Sequence, residues 1–122
     1  MSKLVPPHGG KGLVIRLLEG AAREAELKKA AGLKKIQITS QEKGDLIMIG
    51  IGGFSPLEGF MTKADWKSVC EKMTLADGTF WPIPVMLSCS AEDGAGIKAG
   101  DEVALERNGV MMATIKVTEK FE

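Results

Sequence analysis

The chain has 122 residues, with sixteen basic side chains balanced by sixteen acidic ones. That is the size of one domain, and a neutral chain has no global attraction to nucleic acid or to an anionic membrane. A hydrophobic fraction of 44% and a charged fraction of 26% are ordinary for a soluble globular protein. No charged n-region and apolar h-region open the chain, and no apolar run reaches the roughly 20 residues that span a bilayer, so the expected compartment is the cytoplasm.

In chain order, residues 1–12 are rich in Pro and Gly and read as an extended, irregular arm. Residues 13–18 are short and apolar, and read as a strand. Gly20 to Ala31 is rich in Ala, Glu and Lys and reads as a helix that stops at Gly32. Lys34 to Thr39 alternates Ile36 and Ile38 with polar neighbours, the pattern of a short strand. Ser40 is a candidate cap for a helix containing Asp45 to Ile51, although periodicity alone does not assign the run Leu46 to Ile49. Thr62 is the candidate cap of a clearer helix. There Trp66, Val69, Cys70 and Met73 form one apolar face, and Met61 with Trp66 form a hydrophobic staple.

Further on, Asp77-Gly78 signals a turn. Phe80 to Ser90 reads as a strand whose start is interrupted by Pro82 and Pro84. Gly94 to Gly96 and Ala99 to Asp101 read as turns. Asn108-Gly109 between two strand-like runs, Glu102 to Arg107 and Val110 to Val117, is a hairpin signal, because both residues tolerate the positive φ of a type I′ turn. The sum is an α+β domain: two or three helices in the N-terminal half and a mostly antiparallel sheet in the C-terminal half, for which a small, partly open barrel is a natural closure. The end at Lys120-Phe121-Glu122, straight after a strand, is read as a domain boundary inside a longer protein.

Little in this chain reads as reactive chemistry. His8 is the only histidine, and no Cys-x-x-Cys or His-x-x-His spacing exists, so neither a catalytic site nor a metal site is expected. Gly9 to Gly12 lacks the Ser or Thr that follows the lysine of a phosphate loop, and Gly50, Gly52 and Gly53 lack the setting of a dinucleotide fingerprint. The carboxylate pairs Glu24/Glu26 and Glu92/Asp93 read as solvated faces or turns. Cys70 and Cys89 read as buried free thiols rather than a disulfide framework. Three arginines, Arg16, Arg23 and Arg107, do not assemble the cation cluster that chemistry at a triphosphate needs.

The most specific feature is the run Gly52-Gly53-Phe54-Ser55-Pro56-Leu57-Glu58-Gly59-Phe60-Met61. Together with Pro7-His8-Gly9-Gly10, Asp45-Leu46, Leu75-Ala76-Asp77-Gly78, Trp81-Pro82-Ile83-Pro84-Val85 and Gly100 to Leu105, in that order, it resembles the N-terminal domain of the ATP sulfurylase (sulfate adenylyltransferase) family. The resemblance covers the whole chain, residues 1–122. It implies a PUA-like small-barrel fold, and a parent enzyme that joins MgATP and sulfate into adenosine 5′-phosphosulfate and pyrophosphate, or runs in reverse. It also implies a homo-oligomeric parent.

The family's Gln-x-Arg-Asn, His-x-x-His and Gly-Arg-Asp segments belong to its following domain and have no counterpart here. Gln37 and Gln41 are not followed by Arg-Asn. The family's zinc-binding cysteine cluster also has no counterpart. The resemblance therefore implies a non-catalytic domain that binds no cofactor itself and has the catalytic domain as its partner. The residues expected to pack against that partner are His8, Gly9, Gly10, Phe54, Ser55, Pro56 and Leu57. The other reading of the loop is that Phe54, Leu57, Phe60 and Met61 fill the domain's own core. PUA-like folds also serve as RNA-binding modules; the zero net charge and the lack of a basic aromatic face disfavour that alternative.

Overall fold

A computed structural model describes residues 5–121. In chain order the elements are α1 (Gly20–Ala31), β1 (Lys34–Gln37), α2 (Ser40–Gly50), α3 (Lys63–Lys72), α4 (Ala91–Ala95), β2 (Glu102–Arg107) and β3 (Val110–Lys116). The architecture is α+β. The chain divides into two compact units, one formed by residues up to 17 and 44–86, the other by residues 18–43 and 87 onward.

The second unit carries the sheet, an open one of three strands in the order β1-β2-β3. β2 and β3 form the expected hairpin, and Asn108 and Gly109 have φ of 51° and 79°, the left-handed values such a turn requires. The pairing slips between Leu105 and Glu106, a β-bulge. β1 joins β2 in parallel, with Ile36 opposite Leu105, so the sheet is mixed and takes one strand from the N-terminal half. Val103, Ala104 and Leu105 are buried in succession, and Ile36, Ile38, Ile97 and Ala30 are buried as well. α1 is tied to the sheet by Glu26, which accepts from the Thr114 hydroxyl at 2.9 Å, and by Lys29, which bridges Glu26 and Glu102 at 3.0 and 2.9 Å.

The cap of α2 differs from expectation. Thr39, not Ser40, provides it: the Glu42 N–H donates to Thr39 Oγ1, and the Thr39 N–H donates back to Glu42 Oε1 at 2.8 Å. This is a reciprocal capping box. The other carboxylate oxygen of Glu42 accepts from the Ser88 N–H at 2.6 Å and its hydroxyl at 2.9 Å. Glu42 is 94% buried by this arrangement (6% exposed). Burial pushes its carboxyl up, but the hydrogen bonds from Thr39 and Ser88 outweigh burial and hold it below the usual range.

Four further expectations are corrected. Residues 13–18 and 80–90 are not strands. Residues 13–17 have no sheet neighbour; they bond instead from Arg16 N to Gly50 O and from Val14 N to Ser55 Oγ. In the second segment, Pro82 and Pro84 remove two ladder donors, and Phe80 makes only an isolated bridge with Thr74. α4 was not expected: Ser90 caps it by accepting from the Asp93 N–H, which places Glu92 and Asp93 in a helical first turn. Cys70 and Cys89 are free, as expected, but both are exposed.

Candidate functional site

The residues singled out in the sequence meet in the first unit. Its core is Ile49, Leu57, Met61, Val69, Leu75, Trp81 and Val85, with Phe54, Phe60 and Met86 packed against it. The loop of residues 52–61 therefore sends its apolar side chains into its own unit, Leu57 and Met61 fully and Phe54 and Phe60 in part. A polar frame holds the loop. Ser55 is buried; its hydroxyl donates to Gly52 O at 2.7 Å and accepts from the Val14 N–H at 2.8 Å. Gly52, at φ 83°, makes the turn that delivers Gly53 N to Met48 O.

After the loop, Met61 N donates to Val85 O at 2.8 Å, and the Val85 N–H returns to Met61 Sδ. Thr62 then caps α3, accepting from the Asp65 N–H. The Asp65 carboxylate accepts from Ala76 N at 2.8 Å and fixes the Leu75 to Gly78 turn. Of the apolar face expected on α3, Val69 is buried and Trp66 half-buried, while Cys70 and Met73 face solvent.

The Pro7 to Gly10 arm is docked rather than free. A Cβ on Gly9, whose φ is 87°, would lie 2.8 Å from Pro56 Cγ, so the arm's backbone packs closely against the proline ring. His8 Nε2 meets the carbonyl of Phe80, which makes that nitrogen the donor, and its ring sits 6.0 Å from Trp81. Phe54 meets the same tryptophan edge-on, with centroids 5.6 Å apart. Lys11 reaches Asp77 at 3.6 Å. Thr79 N–H and hydroxyl bonds hold the Asp77 carboxyl below its usual range, and Lys11 adds to the effect.

Three sequence motifs thus converge: the Pro-His-Gly-Gly arm, the Ser-Pro-Leu loop and the Trp-Pro segment. Of the residues singled out, Ser55 and Leu57 are buried, Phe54 and Pro56 half-buried, and His8, Gly9 and Gly10 exposed. Asp77 and Trp81 belong to the same junction; their place in the Asp-Gly turn and the Trp-Pro run was the signal for them. The chemistry available here is positioning: the one imidazole donates to a carbonyl. The buried Trp81 Nε1 has no hydrogen-bond partner among the described residues. Nor do these residues include a group of three or more side chains able to hold a metal ion, or a helix long and apolar enough to cross a membrane.

The fold and this junction define an α+β module whose named loops serve packing. The model of the PUA-like domain family matches residues 5–122, and the chain belongs to that family. It is 72% identical over its full length to a sulfate adenylyltransferase from Desulfovibrio desulfuricans, and 70% identical to one from Desulfatibacillum aliphaticivorans. The chain spans 29% of the length of each. Among solved structures it is similar to the hexameric APS kinase from Thiobacillus denitrificans, at TM-score 0.79 and 34% identity, over 93% of this chain and 23% of that one.

Proposed function

We propose that this chain is the non-catalytic N-terminal PUA-like domain of a sulfate adenylyltransferase. In that enzyme, MgATP and sulfate become adenosine 5′-phosphosulfate and pyrophosphate, or the reverse, on a catalytic domain outside this chain. The observation that carries the reading is the full-length identity of 72% to a sulfate adenylyltransferase more than three times as long. The docked arm and loop support it, because the packed loop holds His8, Gly9 and Gly10 exposed at one junction. In this reading the small, partly open barrel is the closure of the strands, the compartment is cytoplasmic and the parent is a homo-oligomer.

Within the junction, Leu57 and Ser55 hold the loop from inside, while His8, Gly9, Gly10 and the outer faces of Phe54 and Pro56 are presented to the catalytic domain. The test is direct. The isolated chain, incubated with MgATP and sulfate, is expected to form no adenosine phosphosulfate and, at low salt, to bind no mixed RNA. Turnover would overturn the non-catalytic assignment, and tight, salt-sensitive RNA binding would favour the RNA-binding module.

A further inference from the structure

A second surface of the first unit adjoins the loop at Gly52 and Gly53. Leu13, Ile15 and Leu17 occupy every second position of the segment that follows the arm. The Arg16 N–H donates to Gly50 O, which fixes this segment beside the end of α2. A Cβ on Gly52 would lie 3.2 Å from Ile15 Cγ1 and 3.6 Å from Leu13 Cδ2, and one on Gly50 4.0 Å from Leu17 Cδ1. The three side chains therefore lie across glycines. Bare backbone covers only their inner sides, leaving each 58–62% exposed.

Ile47 and Ile51, one turn apart, and Met48 add to them, at 47%, 54% and 36% exposed, whereas Ile49 between them is buried in the core. The exposed area of these six residues is on the order of 500 Å², at the upper end of what a monomer leaves uncovered. Arg16 is the one charged residue within the run 13–18.

We infer that this Leu13/Ile15/Leu17/Ile47/Met48/Ile51 face is a docking surface for the remainder of a sulfate adenylyltransferase chain. The inference rests on the reading above. More than two thirds of each matched relative lies outside the aligned stretch, so a large covalently linked occupant exists in those proteins. The size also decides between occupants. Interfaces between domains of one chain bury roughly 600–1,500 Å² in total, which a patch of this size supplies from one side. Obligate homodimers bury about 2,000 Å² or more, which it does not supply.

The experiment compares thiol labelling of Ile15→Cys and Ile51→Cys, read peptide by peptide by mass spectrometry, in two settings. One is the isolated chain; the other is the Desulfovibrio desulfuricans enzyme with its matched segment replaced by this chain. Lys67→Cys on the exposed side of α3 is the control, and circular dichroism checks folding. Labelling at 15 and 51 is expected to slow at least about tenfold in the full-length protein, with residue 67 unchanged.

Equal rates in an active full-length chimera would overturn the docking surface while leaving the proposed function intact. A folded but inactive chimera would count against the proposed function itself. Concentration-dependent protection in the isolated chain, with a dimer in sedimentation, would assign the face to a second copy and overturn the inference.

Discussion

Gly9 and Pro56 are in contact across 47 residues of sequence, with no room for a side chain between them: a Cβ on Gly9 would lie 2.8 Å from Pro56 Cγ. Gly10 also has a positive φ, 72°, but nothing lies within 4 Å of where its Cβ would be. The two glycines therefore separate steric from conformational cost. Gly10→Ala is expected to cost about 1 kcal/mol, from backbone strain alone. Gly9→Ala adds the clash and is expected to cost about 2–3 kcal/mol, or to release the arm. Release would remove His8 from Trp81 and change tryptophan emission. Urea unfolding of both variants followed by fluorescence checks this; equal effects would contradict the docked arm.

Ser55→Ala tests the polar frame of the loop. The hydroxyl satisfies both Val14 N–H and Gly52 C=O while buried. Its loss leaves the Val14 N–H without its partner and Gly52 C=O with only the Ser55 N–H, and is expected to cost about 1–3 kcal/mol in chemical denaturation. Hydrogen exchange at Val14 should rise in the same variant. A change within 0.5 kcal/mol, the range of an ordinary surface substitution at about ±0.5 kcal/mol, would contradict the frame.

Glu42 carries a pH dependence. Its carboxyl lies below the ordinary glutamate value of 4.5 in the folded state. A depressed carboxylate contributes stability that is fully present above its unfolded value and is lost as pH falls through the folded one. Glu42→Gln puts an amide donor where Thr39 and Ser88 also donate, and is expected to cost about 1–3 kcal/mol at neutral pH. The gap between wild type and variant should narrow as pH falls below 4.5. A gap that widens there would reverse the assignment.

Legibility in the sequence followed how local each signal was. α1, the Thr62 cap of α3 and the Asn108-Gly109 hairpin rest on residues within one turn of each other, and all three are in place. Gly32 does end α1, though at φ −93° rather than in the left-handed region. β1 was legible as a strand, but its parallel partner lies more than 60 residues away, so sheet order was not. Residues 13–18 had a strand's composition without a strand's neighbour, because the apolar run lies on glycines. Two local signals were present and passed over: Thr39-x-x-Glu42 and Ser90-x-x-Asp93, each a side-chain cap of the helix it opens. At the site, the motifs were legible as motifs. That Leu57 and Ser55 turn inward while His8 and Gly9 stay outside depends on the Trp81 core, which local spacing does not encode.

The role proposed for this chain is that of a working but non-catalytic part of a sulfate adenylyltransferase. The most direct measurement is pyrophosphate release from MgATP and sulfate by the Desulfovibrio desulfuricans enzyme carrying this chain in place of its matched segment, beside the isolated chain. Activity within about tenfold of the parent, with none from the isolated chain, is the predicted result. A folded chimera without activity, or turnover by the isolated chain, would contradict it.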